Sequence, residues 1–211
     1  SSETLHTLEI VFFRNALALV FFFPFIAKNG LAVLSSKKKK LYGARALINV
    51  TGMAAGFAAL TMIPLAEATA LSFTAPLFAT FAAAIIFGEI IRTRRIMALM
   101  LGFVGMILIL QPGVYEISTG SILAIIIAVT IAITVLIVKK LTSTERPEII
   151  VLYMALFQTP IALIPAMFFW KWPDLMTWAW LISLATAVTL GHLFYTKAIQ
   201  LAEVSHMQPI V

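Results

Sequence analysis

The sequence predicts an all-α, polytopic transmembrane helical bundle. Three observations carry that prediction. First, 62% of the 211 residues are hydrophobic and only 11% are charged, with a mean hydropathy of +1.04. Soluble domains are roughly half apolar and a quarter charged, so this chain has too little polar surface to cover a globule in water. Second, the apolar residues gather in segments close to the about 20 helical residues that cross a hydrocarbon core. Third, the basic residues collect in the short connections between those segments.

The segments come in order as Ile10–Ala27, Ala44–Ile63, Ala68–Gly88, Ile96–Gln111, Ser121–Val138, Ile149–Phe169 and Met176–Tyr195. An eighth begins near Val204 and is expected to be cut short, so the chain reads as a fragment truncated at both ends. Helices are the expected form of every span. In lipid each backbone N–H and C=O must be satisfied within the segment. Runs such as "SILAIIIAVTIAITVLIV" also lack the period-two alternation of a barrel strand. There is no cysteine, which removes disulfides and thiolate metal sites from consideration.

Charge predicts the orientation. With the first span running from outside to inside, the odd-numbered connections hold Lys28, Lys37, Lys38, Lys39, Lys40 and Arg45, then Arg92, Arg94 and Arg95, then Lys139, Lys140 and Arg146, then Lys197. Those are thirteen of the fifteen Lys and Arg. Lys171 is on the other side and Arg14 lies inside a span. The positive-inside rule then makes the loops Lys28–Arg45, Arg92–Arg95 and Lys139–Arg146 cytoplasmic. "SSKKKK" reads first as a topology anchor, with anionic-lipid binding as the alternative. Trp170, Trp172, Trp178 and Trp180 fall near the opposite surface, where amphipathic rings belong. A basic net charge of +6 split in this way does not point to nucleic acid.

A repeat is visible. "LAE" at Leu65–Glu67 returns at Leu201–Glu203, an offset of 136. "EIVFFRNALAL" from Glu9 is echoed by "EIIVLYMALF" from Glu148, an offset of 139. Five spans, an odd number, separate the two copies of each pair, so the copies are expected to be inverted in the membrane. Inverted repeats let two similar halves exchange conformations about a midplane site, as secondary transporters do.

At these residues the chain resembles a family. "EIVFFRNALALVFFFPF", "PLAEATALSFTAPLFATFAAAIIFGE" and "GFVGMILILQPG" are similar to the first EamA repeat of the drug/metabolite transporter superfamily, and "YTKAIQLAEVSHMQP" is similar to part of the second. The resemblance implies an inverted-topology repeat of five-helix units. Residues 1–119 would be a first repeat lacking its first helix, and residues 120–211 a second repeat truncated in its fourth. The ninth and tenth helices would be mostly or wholly missing. The copies differ in one respect: nine residues separate Glu67 from Pro76, but six separate Glu203 from Pro209.

Polar groups at membrane depth are the candidate site, because they are costly there. Arg14 is read either as a snorkelling side chain or as a fixed cation for a substrate carboxylate. Thr69, Ser72, Phe73, Pro76 and Thr80 share a helical face in the third span. Of these, Ser72, Phe73 and Thr80 are expected to line a cavity and Pro76 to act in gating; the alternative is hydroxyls bonded back to their own helix. Asn49 shares a face of the second span with Arg45, Gly52, Gly56 and Ala59, and at the offset of 136 the counterpart face holds Thr189, His192 and Thr196. Asn49, Thr189 and His192 are therefore candidate substrate contacts, while Gly52 and Gly56 are expected to serve helix packing. Glu67 and Glu203 precede helices, where a carboxylate is stabilised by the helix dipole; proton coupling or gating is the sharper reading.

The predicted function is a carrier that moves a small polar metabolite across the cytoplasmic membrane of a prokaryote by alternating access. The substrate would be amino-acid-like, cofactor-like or a drug. A flippase for a lipid-linked substrate is the alternative, and a non-transport membrane protein the third. An enzyme is not expected: there is no G-x-S-x-G, no H-E-x-x-H and no paired intramembrane aspartates, and His6, His192 and His206 are scattered. No cofactor or metal is expected. The partners are a small-molecule substrate and the bilayer, with a coupled proton and a homodimer left open.

Overall fold

A computed structural model describes residues 5, 7–91, 93–110 and 118–201. Every regular element among them is helical: α1 Thr7–Asn29, α2 Lys39–Met62, α3 Leu65–Ser72, α4 Ala75–Phe87, α5 Thr93–Leu110, α6 Thr119–Thr142, α7 Pro147–Ala166 and α8 Leu175–Leu201, with 3₁₀ turns at Leu31–Leu34 and Met167–Phe169. Among the described residues six stretches are long and apolar enough to cross a bilayer: Leu8–Asn29, Lys39–Met62, Leu65–Phe87, Thr119–Thr142, Pro147–Phe169 and Leu175–Leu201. In the predicted fourth span the apolar helix Ile96–Leu108 is shorter than these.

Local chemistry sets the ends. Gly30 and Gly88 follow α1 and α4 at φ 72° and 68°, a left-handed conformation that glycine adopts without Cβ strain. Pro147 opens α7, where its missing N–H is not needed. The Ser118 hydroxyl accepts from the Ser121 N–H at 3.0 Å and caps α6. The Asp174 carboxylate accepts from the Thr177 N–H at 2.8 Å and caps α8. The Thr177 hydroxyl first, and then its N–H, hold the exposed Asp174 carboxyl below its ordinary 3.8.

The third predicted span is not one helix. It breaks between Ser72 and Ala75, and Pro76 sits in the first turn of α4 instead of bending a continuous helix. The reason is elementary: proline has no N–H to give to a carbonyl one turn back. The buried Thr74 covers part of the gap. Its N–H and its hydroxyl both donate to the Leu71 carbonyl, at 3.0 and 2.6 Å.

Contacts divide the chain into two compact units, Ser1–Ala46 with Leu141–Ala198, and Leu47–Lys140 with Ile199–Val211. In the first unit α1 packs antiparallel on α7. Phe22 meets Val151, Leu152 and Met154 in one cluster, while at the other end Glu9 accepts from the Lys171 N–H. Phe13 lies 5.4 Å from Trp170 and 5.3 Å from Trp178 between ring centroids. The connection after α1 is tied down on α7: the Tyr153 hydroxyl accepts from the Ser36 N–H at 3.1 Å and donates to the Leu34 carbonyl. The Ser36 hydroxyl donates to Glu145 at 2.7 Å, and the Lys38 ammonium donates to Thr144.

In the second unit α2 packs antiparallel on α6. Glycine lets the backbones approach. A Cβ at Gly52 would collide with the Thr130 side chain, and one at Gly120 would stand 2.6 Å from the Ile63 side chain. Ile63, Ala68, Leu71 and Ala124 form the unit's apolar cluster, with Met106 of α5 against it. Large apolar side chains such as Phe23, Leu101, Ile164 and Phe194 stay exposed, as they do where the surrounding solvent is hydrocarbon.

Candidate functional site

In the first unit the candidate residues concentrate on α1, α2 and α8. Thr189 is buried and, with Thr186, lines a cavity of about 170 Å³ between Phe21 and Phe22 of α1 and Leu190 and Leu193 of α8. Its walls are apolar apart from the two hydroxyls, which suits the flat or aliphatic part of a ligand. His192, one turn further along α8, is half-buried. Arg14 is half-buried on α1. Thr196 completes the α8 stripe and is 1% exposed.

Arg45 was given two places by the sequence, a charge of the basic connection and a member of the Asn49 face of the second span; the structure puts it inside α2 and 4% exposed. One of its terminal nitrogens donates to the Met154 sulfur at 3.4 Å. Its Nε and Nη1 have no hydrogen-bond partner, nor do the Tyr42 hydroxyl and the Thr196 hydroxyl. The Tyr42 ring stacks on Tyr153 at 4.4 Å. The signal for burial was available: Tyr42, Arg45 and Asn49 follow a helical spacing, which puts Arg45 on a polar face instead of in a loop. Buried Asn15 was also missed; its amide donates to the Val11 carbonyl of its own helix at 2.8 Å.

In the second unit the candidates are already engaged. The Thr134 hydroxyl donates to the Asn49 carbonyl oxygen at 2.9 Å. The Glu67 carboxylate, in the first turn of α3, accepts from the Ser121 hydroxyl at 2.9 Å. The Thr69 and Ser72 hydroxyls donate to the carbonyls of Leu65 and Thr69 at 2.6 and 2.7 Å. The broken helix separates the members of the expected stripe: Phe73 is 69% exposed and Thr80 is 3% exposed. Pro76 is half-buried beside the break. Glu203 and His206 lie outside the described residues. Among the described residues no group of His, Asp and Glu is arranged to hold a metal.

A bundle of bilayer-length helices, one of them interrupted, with polar side chains held at depth, is the build of a multi-pass membrane transporter. The comparisons with known proteins agree. Residues 1–111 match the EamA-like transporter family, and the chain belongs to that family. It is 29% identical over 206 residues to a riboflavin transporter of Brucella anthropi, which covers 95% of this chain and 72% of that protein. It is 27% identical over 205 residues to an S-adenosylmethionine uptake transporter of Rickettsia prowazekii, covering 97% and 70%. A solved structure of 19% identity superimposes with a TM-score of 0.67 over 99% of this chain and 77% of that one, which shows a shared fold. The chain is thus a membrane transporter for a small metabolite.

Proposed function

We propose that this transporter moves a polar, cofactor-like or amino-acid-like metabolite across a bacterial cytoplasmic membrane by alternating access between two inverted repeats. The observation that carries this reading is the α1–α7 pair. The two helices hold the matching stretches "EIVFFRNALAL" and "EIIVLYMALF" and pack antiparallel in one compact unit. Antiparallel packing of repeated segments is what a two-fold axis in the membrane plane requires. The interrupted third span supports it, because unwound backbone within a span is tolerated where it lines a cavity or is buried in protein.

Arg14, Thr189 and His192 are proposed substrate contacts from the first unit. Asn49, Ser72, Phe73 and Thr80 are those proposed from the second. Glu67, Pro76 and Glu203 are proposed to gate or couple, with a proton as the coupling ion, and the lysine- and arginine-rich loops are proposed to face the cytoplasm. The relatives' substrates make riboflavin and S-adenosylmethionine the first probes to try. The purified protein in proteoliposomes is expected to accumulate one of these labelled probes, faster under an inward proton gradient. Asn49→Ala and His192→Ala should each lower that uptake while inserting normally. Movement of neither probe, with flipping of a lipid-linked sugar, would replace this reading with the flippase.

A further inference from the structure

We infer that Arg45 is an oxyanion site, and that the substrate presents a carboxylate or phosphate to it. The inference rests on the transport reading and adds a substrate class to it. Arginine stays charged at any physiological pH, so Arg45 carries a positive charge while 4% exposed. Six residues into α2, it lies about 9 Å along the helix from Lys39. A buried cation is expected to be paired or fully hydrogen-bonded. Arg45 is neither: a thioether takes one donor, and Nε and Nη1 are left open. The Glu145 carboxylate accepts from the Ser36 hydroxyl, and Arg45 donates to Met154 instead.

The surroundings extend the same deficit. Tyr42 and Thr196 bring two further buried hydroxyls without partners, and His192 stands one turn before Thr196 on α8. Unsatisfied donors on α2 and α8 and the buried charge of Arg45 form a site that one anionic group would complete. Charged hydrogen bonds are the strong ones, and guanidinium matches carboxylate and phosphate geometry. A purely structural arginine would instead be paired within the protein or reach the headgroups. Two sources can supply the oxyanion: a soluble substrate, which we assign, or the headgroup of an anionic lipid.

The test uses the intact protein in a maltoside detergent with phosphatidylcholine, melted in acetate or inorganic phosphate against chloride at matched ionic strength. The oxyanions should raise the melting temperature. Arg45→Met should abolish that gain and melt higher than the unmodified protein in chloride, since an unpaired buried charge is gone; Arg45→Lys should keep part of the gain. Uptake of oxyanion-bearing probes should fall about tenfold or more in Arg45→Met, the usual scale for a lost charged hydrogen bond. An oxyanion gain that persists in Arg45→Met overturns the site. A gain seen only with added phosphatidylglycerol overturns the substrate assignment in favour of a headgroup. Oxyanion binding through Arg45 with no probe transported leaves the site standing and removes the transport reading instead. If Arg45→Met melts lower and Arg45→Lys shows no oxyanion response, Arg45 is structural and the inference fails.

Discussion

The candidate polar groups of the second unit are paired within the protein, whereas several buried ones of the first unit are not. Against α6 the partners are supplied by the protein: Asn49 of α2 with Thr134, Glu67 of α3 with Ser121. Around the start of α2 and along α8, Arg45, Tyr42 and Thr196 keep donors without partners. The same residue types at depth therefore carry two meanings. A satisfied pair fixes helix register and is finished once folded. An unsatisfied group remains costly until something outside the fold arrives. The difference separates framework from candidate site better than polarity does.

Four experiments break or sharpen that contrast. The largest effect is expected at Gly52. Gly52→Leu drives a side chain into Thr130, and overpacking of this kind costs about 1–3 kcal/mol. A lowered melting temperature and poor expression would show that the seam is framework; a neutral result would mean that α2 and α6 are free to part. Next is Glu67→Gln. The amide oxygen can still accept from Ser121, so melting should hardly move, while uptake should lose its response to a proton gradient. Retained coupling would leave Glu67 with the structural role alone.

The Asn49–Thr134 pair should yield a smaller value. A double-mutant cycle with Asn49→Ala and Thr134→Val, read by thermal unfolding, should give a coupling near the about 0.6 kcal/mol typical of interhelical hydrogen bonds in membranes. A coupling of zero would place Asn49 with the unsatisfied group and make it a stronger substrate contact. The smallest effect belongs to Asp174. Its carboxyl is held below 3.8 by the Thr177 hydroxyl and then by the Thr177 N–H, so its folded pKa is depressed. The capping it supplies is present above 3.8 and fades as pH falls through the lower folded value. Asp174→Asn, which keeps a capping oxygen, should melt like the parent at neutral pH and lose less on acidification.

Much of the fold was legible because bilayer length and hydropathy act locally. Span limits such as Ile149–Phe169 and the observed Pro147–Phe169 agree closely, since proline, glycine and charge punctuate the chain at those points. What was not legible depends on neighbours. The helical spacing of Tyr42, Arg45 and Asn49 puts Arg45 on a polar face, but nothing in that stretch names Met154 as what it meets, because that partner is over a hundred residues away. The break before Pro76 was half legible: the proline marked trouble, but a kink and an interruption differ only in whether Thr74 closes the gap on Leu71. The hydroxyls of Thr69 and Ser72 bond back to their own helix, the plainer of the two readings considered.

Tyr153 has a further consequence. One phenol grips both the Leu34 carbonyl and the Ser36 amide, so the strand of chain leaving α1 is riveted to a helix more than a hundred residues downstream. Whenever α7 tilts, that crossing must travel with it as one lever arm, and the tetralysine run at its end is carried along. A phenylalanine in its place would remove both of those bonds and leave the crossing held only by Ser36 on Glu145 and Lys38 on Thr144.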